Sequence, residues 1–526
     1  MSRDFQLPGR SQVISTTGMA ATSHPLASLA ALDVLREGGN AVDAAVTACA
    51  TLCVVEPHMT GIGGDCFVML AKPGQPAWGY NGSGRSAAKA SCEALRAQGL
   101  AEIGASIHAV TVPGAVEAWE ATLKAHGTIG LDRALKPAIK YAEGGFPIAA
   151  RVAFDWARMT ARLKGDPGLA KHYLVNGAVP REGDVIRLPA LANTLKVIAA
   201  KGARGLYEGE IAQDMASTLA RRGSLITAED IASHKGEVVK PIASNYRGLD
   251  LLELPPNGQG LTALVMLNIL ENFDMKSLEA LGPERFHLML EAARIGYAVR
   301  DTHIAEPKAM TIDVAKLLDK AWAKTLAAKI DRARRVPLPK APTPGNETTY
   351  ISVVDKDRMA VSFINTLYSN FGFGLCTEKT GIIFTNRGSC FVMEDGHPNV
   401  IGPSKRPMHT IIPALAMRNN RVAYSFGVMG AHYQPMGHVQ IVLNLIDYGM
   451  DLQQAIEAPR AFFVDEDTVV ERGMPAATIA GLKQRGHHVT TPETPWGGAQ
   501  AINIDWDRGV LIGGSESRKD GCALGY

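Results

Sequence analysis

The sequence predicts an α+β fold in which sheets are covered by helices, and the order of its segments supports this prediction. Helix-like apolar patterns dominate the first part of the chain, and short alternating strand patterns dominate the part after residue 348. Between them, residues 331–347 are rich in proline and arginine and have no apolar period, which is typical of a linker. Sheets with helices packed outside them are a stable arrangement for such a mixture.

The first two helices are the clearest elements of the first part. An apolar stripe follows Ser23, which we expect to cap the first helix, and the pair Gly38-Gly39 ends it. Asn40 or Asp43 begins a second helix, which is rich in alanine and apolar enough to be fully buried. We therefore expect two consecutive helices, the second of them inside the protein.

Turns and strands follow these helices. The stretch "GIGGDCFVMLAKP" indicates a glycine-rich turn that enters a strand, and residues 110–235 show mostly helical patterns broken by loops. A strand pair around residues 236–254 and further helices complete the first part. After the linker, "TYISVVD" and "MAVSFINTLY" are the first of several short strands.

Composition and charge limit the classes of function. The 526 residues are 46% apolar and carry a net charge of +2, which gives no electrostatic case for binding nucleic acid or an anionic membrane. The N-terminus lacks a signal-peptide pattern and the longest apolar stretch is too short to span a bilayer, so we expect a cytoplasmic protein. The seven cysteines are scattered, which fits a reduced compartment, and Cys49 and Cys53 are expected in the core rather than on a metal.

The stretch "TPGNETTYISVVD" places a threonine pair where a loop becomes a strand. A threonine hydroxyl is a weak nucleophile that needs an adjacent base, and an N-terminal threonine has its own α-amine, whose unperturbed pKa is about 8. Thr348 gains such an amine only if its hydroxyl attacks the Glu347 carbonyl and the chain breaks between the two residues. On these residues alone, an ordinary strand threonine is the better interpretation.

Several long motifs make the sequence similar to the γ-glutamyltranspeptidase family of N-terminal-nucleophile hydrolases. They follow the family's order along nearly the whole chain: "GGNAVDAAVTACATLCVVEPHMTGIGGDCFVML", "ELPPNGQG", "TTYISVVDKDRMAVSFINTLYSNFGFG", "GPSKRPMHTIIPALA", "FGVMGAHYQP", "IDYGMDLQQAIEAPR" and "ALGY". The resemblance implies a four-layer αββα sandwich and a precursor that cuts itself into a large subunit, residues 1–347, and a small subunit, residues 348–526. The two subunits stay together, and we leave a dimer of such heterodimers open as the assembly.

The resemblance also assigns catalytic groups. Thr348 matches the nucleophile, and Thr366 matches a second threonine that hydrogen-bonds it and aids processing. Gly430 and Ala431 match a Gly-Gly pair whose backbone N–H groups hold the oxyanion. Because these groups act through the main chain, alanine can still serve if its φ is permitted. The resemblance implies no metal and no organic cofactor.

The residues that would bind substrate depart from the family's pattern. Arg85, Arg387 or both are expected to bind a substrate carboxylate, and for Arg85 a surface arginine on a glycine-rich turn is the alternative. Cys390 stands where the family has the Asp that binds the α-amine, and Arg387 replaces a neighbouring Gln. Tyr368 replaces an Asn, and His409-Thr410 replace a Ser-Ser pair. An ammonium group would meet Arg387, so we infer a substrate that has a carboxylate and lacks the amine.

Two further features bear on the substrate. The segment Phe391–Gly402 is short and lacks the family's lid, which favours hydrolysis over transfer to an acceptor. His409 and His432 either recognise substrate or are structural polar groups. His432 and His438 lack a carboxylate or cysteine partner at a suitable spacing, so no metal site is predicted.

The sequence therefore predicts a self-cleaving N-terminal-threonine amidohydrolase that hydrolyses a small amide bearing a carboxylate. The segments "NTLYSNFGFG", "NRGSCF" and "GVMGAHYQPMGH" resemble the branch that includes oxamate amidohydrolase of purine breakdown more closely than the glutathione-cleaving members, so oxamate is the first candidate substrate. Three alternatives stay open: γ-glutamyl transfer or glutathione hydrolysis, removal of acyl groups from cephalosporin-type antibiotics, and a binding protein that is never cleaved.

Overall fold

The computed structural model describes residue 6, residues 9–336 and residues 348–526. In this part of the chain the helices α1 to α20 are, in order, Pro25–Arg36, Ala41–Val55, Cys92–Arg96, Ala115–His126, Leu131–Ala134, Lys136–Gly144, Ala150–Arg158, Thr160–Lys164, Pro167–Tyr173, Pro189–Lys201, Arg204–Tyr207, Gly209–Arg221, Ala228–Ala232, Gly260–Leu270, Pro283–His303, Val314–Leu317, Lys320–Ala327, Gln434–Ile446, Leu452–Glu457 and Ala476–Gln484. The strands β1 to β19 are Val13–Ser15, Met19–Thr22, Asp65–Ala71, Trp78–Gly82, Phe146–Pro147, Val185–Ile186, Glu237–Val239, Ile242–Tyr246, Leu249–Glu253, Thr349–Val354, Ala360–Thr366, Ala414–Arg418, Arg421–Met429, Ala461–Val464, Asp467–Val470, His488–Thr490, Gly498–Asp505, Val510–Ser515 and Cys522–Gly525.

Two antiparallel sheets of seven strands each lie at the centre of the described residues. The first sheet has the order β19-β2-β10-β11-β3-β4-β7, and the second has the order β1-β18-β17-β13-β12-β9-β8. Both sheets contain strands from before and after the predicted linker, and such strands pair directly, for example β3 with β11. The two predicted subunits would therefore share both sheets and stay interlocked after a cut.

Apolar side chains join four layers. One cluster, which includes Phe67, Tyr350, Ile364 and Leu415, fills the space between the two sheets. The helices α1, α2 and α4 pack on the outer face of the first sheet, and α14 and α18 pack on the outer face of the second. Because the first sheet is covered on both faces, β10 and β11 are buried at every position. The predicted four-layer αββα sandwich is confirmed.

The starts of the first two helices show one difference from the prediction. His24, not Ser23, occupies the N-cap of α1, and its Nδ1 accepts a backbone N–H of the first turn at 3.2 Å. The Ser23 hydroxyl donates to the buried Glu56 carboxylate instead, which explains the shift of the cap by one residue. Asn40 caps α2, and Asp43 completes a capping box by accepting the Asn40 N–H at 2.8 Å. As predicted, α2 is buried along its whole length.

Contacts between the sheets fix the register of β10 against β13. Ser352 Oγ lies 2.8 Å from Ser425 Oγ, and the Tyr350 ring covers Gly427 so closely that a Cβ there would lie 2.3 Å from it. The residue numbers fall along β10 as they rise along β13. The next step of two residues brings Thr348 to the end of β13, so the start of β10 and the end of β13 meet at one end of the sandwich.

The linker is described up to Val336. Residues 331–336 contain no helix or strand, and the main chain of Val336 is bonded to Glu291 and Arg294. The predicted cleavage residue Glu347 lies outside the described residues, so the boundary between the predicted subunits stays a prediction. In the parts of the chain that are described, no helix combines the length and the apolar character that crossing a bilayer requires.

Candidate active site

Thr348, Thr366 and Asp65 form one row across three neighbouring strands. Thr366 on β11 pairs with Asp65 on β3, and the pairing of Thr349 with Asn365 puts Thr348 beside Thr366. Their side chains are in step with the apolar residues that point between the sheets. Thr348 Oγ1 lies 3.1 Å from Thr366 Oγ1, and either hydroxyl can be the donor. The row therefore ends in a pair of bonded hydroxyl groups.

The backbone of Thr348 is strained. Its φ is 134° and the residue is 1% exposed. Such a φ is unfavourable for a β-branched residue and costs on the order of 1–3 kcal/mol. The Thr366 hydroxyl is fixed from its other side, because its oxygen accepts the Tyr368 N–H at 2.9 Å. Breaking the peptide bond before Thr348 would remove the carbonyl that defines φ and would end the strain.

Gly430 and Ala431 lie where β13 turns into α18. Gly430 has a φ of 120°, and a Cβ there would lie 2.9 Å from the Gly497 Cα, so only glycine fits. Ala431 has a φ of 47°, which alanine tolerates at a cost. It opens a short 3₁₀ turn, Ala431–Tyr433, and N–H groups at such a start have no acceptor within the helix. Adjacent N–H donors at a helix N-terminus suit a developing negative charge.

Arg387 is a fully buried arginine with donors to spare. Its Nη1 donates to Thr410 Oγ1 at 2.7 Å and to Cys390 Sγ at 3.7 Å. The guanidinium carbon lies 4.2 Å from the centre of the Tyr368 ring. Within the described residues, Nε and Nη2 have no hydrogen-bond partner. Buried unpaired donors are costly, so this guanidinium suits a ligand that brings acceptor oxygens.

Asp65 is a buried carboxylate that the sequence prediction missed. Its Oδ2 accepts the His409 Nε2–H at 3.0 Å and lies 3.6 Å from Arg387 Nε, while Oδ1 accepts the Gly84 N–H at 2.7 Å. Burial raises the pKa of Asp65, but the hydrogen bonds and the Arg387 charge outweigh burial and hold that pKa below its usual value. Asp65 is therefore ionised at neutral pH, and both of its oxygens are engaged.

His409 is neutral, and hydrogen bonds engage both of its ring nitrogens. Burial and the Arg387 charge lower the pKa of His409 to about 4, although Asp65 acts in the opposite direction. The Ile411 N–H donates to its Nδ1 at 3.3 Å, so Nε2 carries the proton that His409 gives to Asp65. Its ring also stacks 4.7 Å from the Phe67 ring. These contacts fix its orientation from every side.

His432 connects Tyr368 to helix α15. Its Nδ1 lies 2.9 Å from Arg300 Nη1, and its Nε2 lies 3.1 Å from Tyr368 Oη. An arginine only donates, so Nδ1 must be unprotonated. Burial and the charges of Arg300 and Arg387 keep the pKa of His432 well below its usual value. The Nε2–H of neutral His432 is therefore the donor to the Tyr368 oxygen.

Arg85 lies apart from this group. Its guanidinium donates to Glu306 at 2.5 Å and to the Ser404 carbonyl at 3.0 Å, and 31% of its side chain is exposed. Neither contact involves the Thr348 row or Arg387. The residues that the described structure brings to one end of the sandwich are Thr348, Thr366, Tyr368, Arg387, Cys390, His409, Thr410, Gly430, Ala431 and His432.

Two groups of histidines outside this site are held by hydrogen bonds. His438 Nδ1 lies 2.7 Å from Glu253. In the described parts of the chain, His287, Glu291 and His487 are close enough together to hold a metal ion. However, the two rings bond each other at 2.8 Å, and their other nitrogens face the Asp331 carbonyl at 2.7 Å and the Thr468 hydroxyl at 2.9 Å. These bonds engage all four ring nitrogens, which favours a hydrogen-bonded chain.

Some residues of the site gave little or no signal in the sequence. Asp65 was detectable in principle, because it is the only charged residue in the apolar stretch "GIGGDCFVML". Gln259 lies in a quoted motif, but the two carbonyls that its side chain binds belong to residues more than 150 positions away. Arg300 and Tyr297 lie on a long helix and show no pattern that separates them from ordinary helix residues.

Comparison with known proteins places this geometry in a family. A family model described as "Gamma-glutamyltranspeptidase" matches residues 27–526. The chain is 38% identical over 523 residues to the "Glutathione hydrolase-like YwrD proenzyme" of Bacillus subtilis (strain 168). The aligned region covers 98% of this chain and 99% of that protein. It is 34% identical over 527 residues to the "Oxamate amidohydrolase proenzyme" of Klebsiella pneumoniae subsp. pneumoniae, with coverages of 98% and 99%.

Solved structures agree with the sequence comparison. The crystal structure of cephalosporin acylase from Bacillus halodurans is similar with a TM-score of 0.93 and 36% identity, over 100% of this chain and 99% of that chain. The γ-glutamyltranspeptidase of Helicobacter pylori is similar with a TM-score of 0.57 and 32% identity, over 63% of this chain and 95% of that chain. The chain therefore belongs to the γ-glutamyltranspeptidase family of enzymes.

Proposed function

We propose that this protein is a self-cleaving N-terminal-threonine amidohydrolase whose substrate is a small amide with a carboxylate and no α-amine. Oxamate is the first candidate, and its hydrolysis gives oxalate and ammonia. The proposed cut lies between Glu347 and Thr348. Two relatives are named proenzymes, and one of them is named for oxamate, which supports both parts of the proposal.

The observation that carries the substrate proposal is the unsatisfied guanidinium of Arg387. Its Nε and Nη2 are buried donors without a hydrogen-bond partner in the described residues, and Asp65 at 3.6 Å from Nε is too far for a hydrogen bond. Thr410 holds Nη1, and the Tyr368 ring supports the guanidinium plane. A carboxylate can accept from an arginine fork with two parallel bonds.

In the described residues around Arg387, neither oxygen of the Asp65 carboxylate is left to accept from an ammonium group. His409 and Gly84 engage both oxygens of Asp65, and Cys390 lies beside Arg387 where the family has an amine-binding Asp. An α-amine placed here would face the Arg387 charge without a free counter-charge, which disfavours γ-glutamyl substrates. The proposed specificity therefore combines attraction of the substrate carboxylate to Arg387 with repulsion of an α-amine by the same positive charge.

The Thr348 hydroxyl is proposed to act both in every turnover and in the initial self-cleavage. In each turnover its Oγ attacks the amide carbon while its α-amine takes the hydroxyl proton, and the N–H groups of Gly430 and Ala431 hold the carbonyl oxygen as it becomes negative. The C–N bond breaks, the amine returns the proton to the departing ammonia, and an ester on Thr348 remains. Water then hydrolyses the ester, which releases the acid and restores the hydroxyl.

The initial self-cleavage is proposed to use the same hydroxyl. Thr348 Oγ attacks the Glu347 carbonyl, the peptide nitrogen becomes the free α-amine, and water hydrolyses the resulting ester. The bond from Thr366 orients the hydroxyl, and loss of the strained φ of 134° favours the cut state.

A second candidate function is removal of a carboxylate-bearing acyl group from a cephalosporin-type amide. The TM-score of 0.93 with a cephalosporin acylase favours it. A glutaryl group also has a carboxylate and no amine, so Arg387 would bind it by the same contacts. The two functions differ in the size of the acyl and leaving groups and not in the recognition chemistry.

Product release from three amides tests this proposal. Fully cleaved enzyme is incubated with oxamate, glutathione and a glutaryl amide under the same conditions, and ammonia or free amine is measured. We expect oxamate to have the highest kcat/KM. Faster hydrolysis of the glutaryl amide would support the acylase function, whereas glutathione well above both would overturn the proposed specificity.

A further inference from the structure

Gln259 is a fully buried residue that connects both halves of the proposed site without lying on the nucleophile row. It precedes α14 in the loop "PPNGQG" of the predicted large subunit. Its backbone N–H donates to the His409 carbonyl at 2.8 Å, and the His409 N–H donates to the Asn257 carbonyl at 2.8 Å. These two bonds join the loop to the segment that carries His409 and Thr410.

The side-chain amide of Gln259 makes three further bonds. Its Nε2 donates to the Thr410 carbonyl at 2.7 Å and to the Ala431 carbonyl at 2.9 Å, and its Oε1 accepts from Arg300 Nη1 at 2.7 Å. The reversed amide would point its oxygen at two carbonyls and its NH₂ group at an arginine. The partners therefore fix the orientation of the amide and use both of its donors.

The two carbonyls that Gln259 holds belong to different parts of the site. Ala431 supplies one proposed oxyanion donor and has the strained φ of 47°. Thr410 accepts from Arg387 Nη1 and so helps to orient the proposed carboxylate anchor. One side chain thus sets the distance between the group that binds the substrate acid and the groups that bind the oxyanion.

We propose that Gln259 is a positioning residue that holds the oxyanion turn, Gly430–Tyr433, in register with Arg387. This inference rests on the proposed function, because it assigns the oxyanion role to that turn. Tyr297 assists from α15, where its hydroxyl donates to the His432 carbonyl, the next carbonyl of the same turn. A strained conformation persists only where surrounding contacts determine it. The bonds from Gln259 to the Ala431 carbonyl and from Tyr297 to the His432 carbonyl both come from the predicted large subunit. The large subunit therefore sets the geometry of an oxyanion site that the small subunit provides.

Two substitutions of Gln259 test its role, and kcat and KM of the fully cleaved enzyme are measured for each. Gln259→Met keeps the size of the side chain and removes all three bonds. We expect it to lower kcat at least tenfold, because losing one oxyanion donor outright costs on the order of 10²–10³ in rate. Gln259→Glu keeps the shape and the Arg300 bond but points a carboxylate oxygen at two carbonyls. It should lower kcat further than Gln259→Met, whereas a residue needed only to fill space would give the opposite order.

Gln453→Met is the matched control. Gln453 is as deeply buried and also makes three side-chain bonds, to Ser515 O at 2.8 Å, Ser515 N at 3.0 Å and Glu457 Oε1 at 3.0 Å. Its partners lie away from the Thr348 row. We expect Gln453→Met to leave kcat within twofold of wild type while lowering thermal stability about as much as Gln259→Met does.

The outcomes separate this inference from the proposed function. The assay uses whichever of oxamate, glutathione and a glutaryl amide the wild type hydrolyses, because an oxyanion turn serves any amide. A wild type that hydrolyses none of them would overturn the proposed function and the positioning role with it. A kcat of Gln259→Met within twofold of an active wild type would overturn only the positioning role. If that variant does not fold or cleave, Tyr297→Phe decides: a three- to tenfold lower kcat supports the inference, and an unchanged kcat overturns it.

Discussion

Tyr368 connects the nucleophile to the proposed acid-binding pocket, which we define as Arg387, Cys390 and Thr410, but the fold builds the two in different ways. Thr348 directly precedes β10 and Thr366 ends the neighbouring β11, so a single register places both hydroxyls. Arg387 lies on a short 3₁₀ turn and Thr410 lies on a loop, and side-chain hydrogen bonds hold them together. The sheet fixes the chemistry and the loops determine what is bound, so loop substitutions can change the substrate without moving the nucleophile.

The largest expected effect comes from removing the nucleophile. Thr348→Ala should abolish cleavage and turnover, so denaturing mass analysis should show one chain instead of fragments of 347 and 179 residues. Thr349→Ala is the matched control, because Thr349 is equally buried and, among the described residues, its hydroxyl donates to the Asn365 carbonyl and not to the Thr348 row. Cleavage at the same bond in Thr348→Ala would show that another group makes the cut.

The next effect should be confined to the acid-binding pocket. Arg387→Met removes the carboxylate anchor and the positive charge that lies 3.6 Å from Asp65, so we expect self-cleavage to continue while kcat/KM for oxamate falls by about 10²–10³. Arg285→Met is a control for loss of a buried arginine, since Arg285 bonds to Ala280 and Asn444 on other elements. Equal losses in the two variants would mean that Arg387 is only a structural residue.

A smaller effect is expected when the pocket is made more similar to the family's pattern. Cys390→Asp places a carboxylate near Arg387 Nη1, which lies 3.7 Å from the present Sγ. The new charge should compete with the substrate carboxylate and lower kcat/KM for oxamate about tenfold, while the penalty against an α-amine shrinks. Cys390→Ser, which adds no charge, should change neither kcat/KM for oxamate nor the penalty against an α-amine by more than about twofold. A loss of the same size in Cys390→Ser would remove charge as the explanation.

The smallest effect should be the pH dependence of the pocket itself. Burial lowers the pKa of His409 to about 4 and that of His432 well below its usual value, so both are neutral between pH 5.5 and 7. KM for oxamate should therefore vary by no more than about twofold in this range, while kcat rises with pH as the α-amine loses its proton near its usual pKa of about 8. A KM that follows a group titrating near pH 6.5 would contradict this assignment.

The lowered pKa of His409 also determines how the stability of the fold depends on pH. The pKa of His409 is lower in the folded protein than in the unfolded chain, where it is about 6.5. Its contribution to stability is present above pH 6.5 and is lost as the pH falls from there toward about 4. Kinetic measurements should accordingly be paired with thermal unfolding at each pH.

Much of the fold was predictable because it depends on local patterns and long motifs. The apolar run of α2 predicted a buried helix, and the alternation after residue 348 predicted strands. The cap of α1 was wrong by one residue because the distant Glu56 takes the Ser23 hydroxyl. No local pattern reports such a competition between partners that are far apart in sequence.

The site was predictable to a different degree in its two regions. The threonine row follows from strand pairing, and the residues quoted from the motifs led directly to it. The pocket depends on side chains from distant loops, which explains why Asp65 and Gln259 were missed. Of the two arginines expected to bind the substrate carboxylate, Arg85 pairs with Glu306, while Arg387 has donors without a hydrogen-bond partner among the described residues. Whether a side chain is satisfied becomes visible only in three dimensions.

A matched pair of amides gives the most direct test of how the pocket selects its substrate. Glutaric acid monoamide and L-glutamine have the same carbon chain, carboxylate and amide, and they differ only in the α-amine. Fully cleaved wild type should release ammonia from the monoamide with a kcat/KM at least tenfold above that for glutamine, because the amine would face Arg387 without a partner. Glutamine hydrolysed as well as or better than the monoamide would contradict the proposal that the pocket selects an acid without an amine.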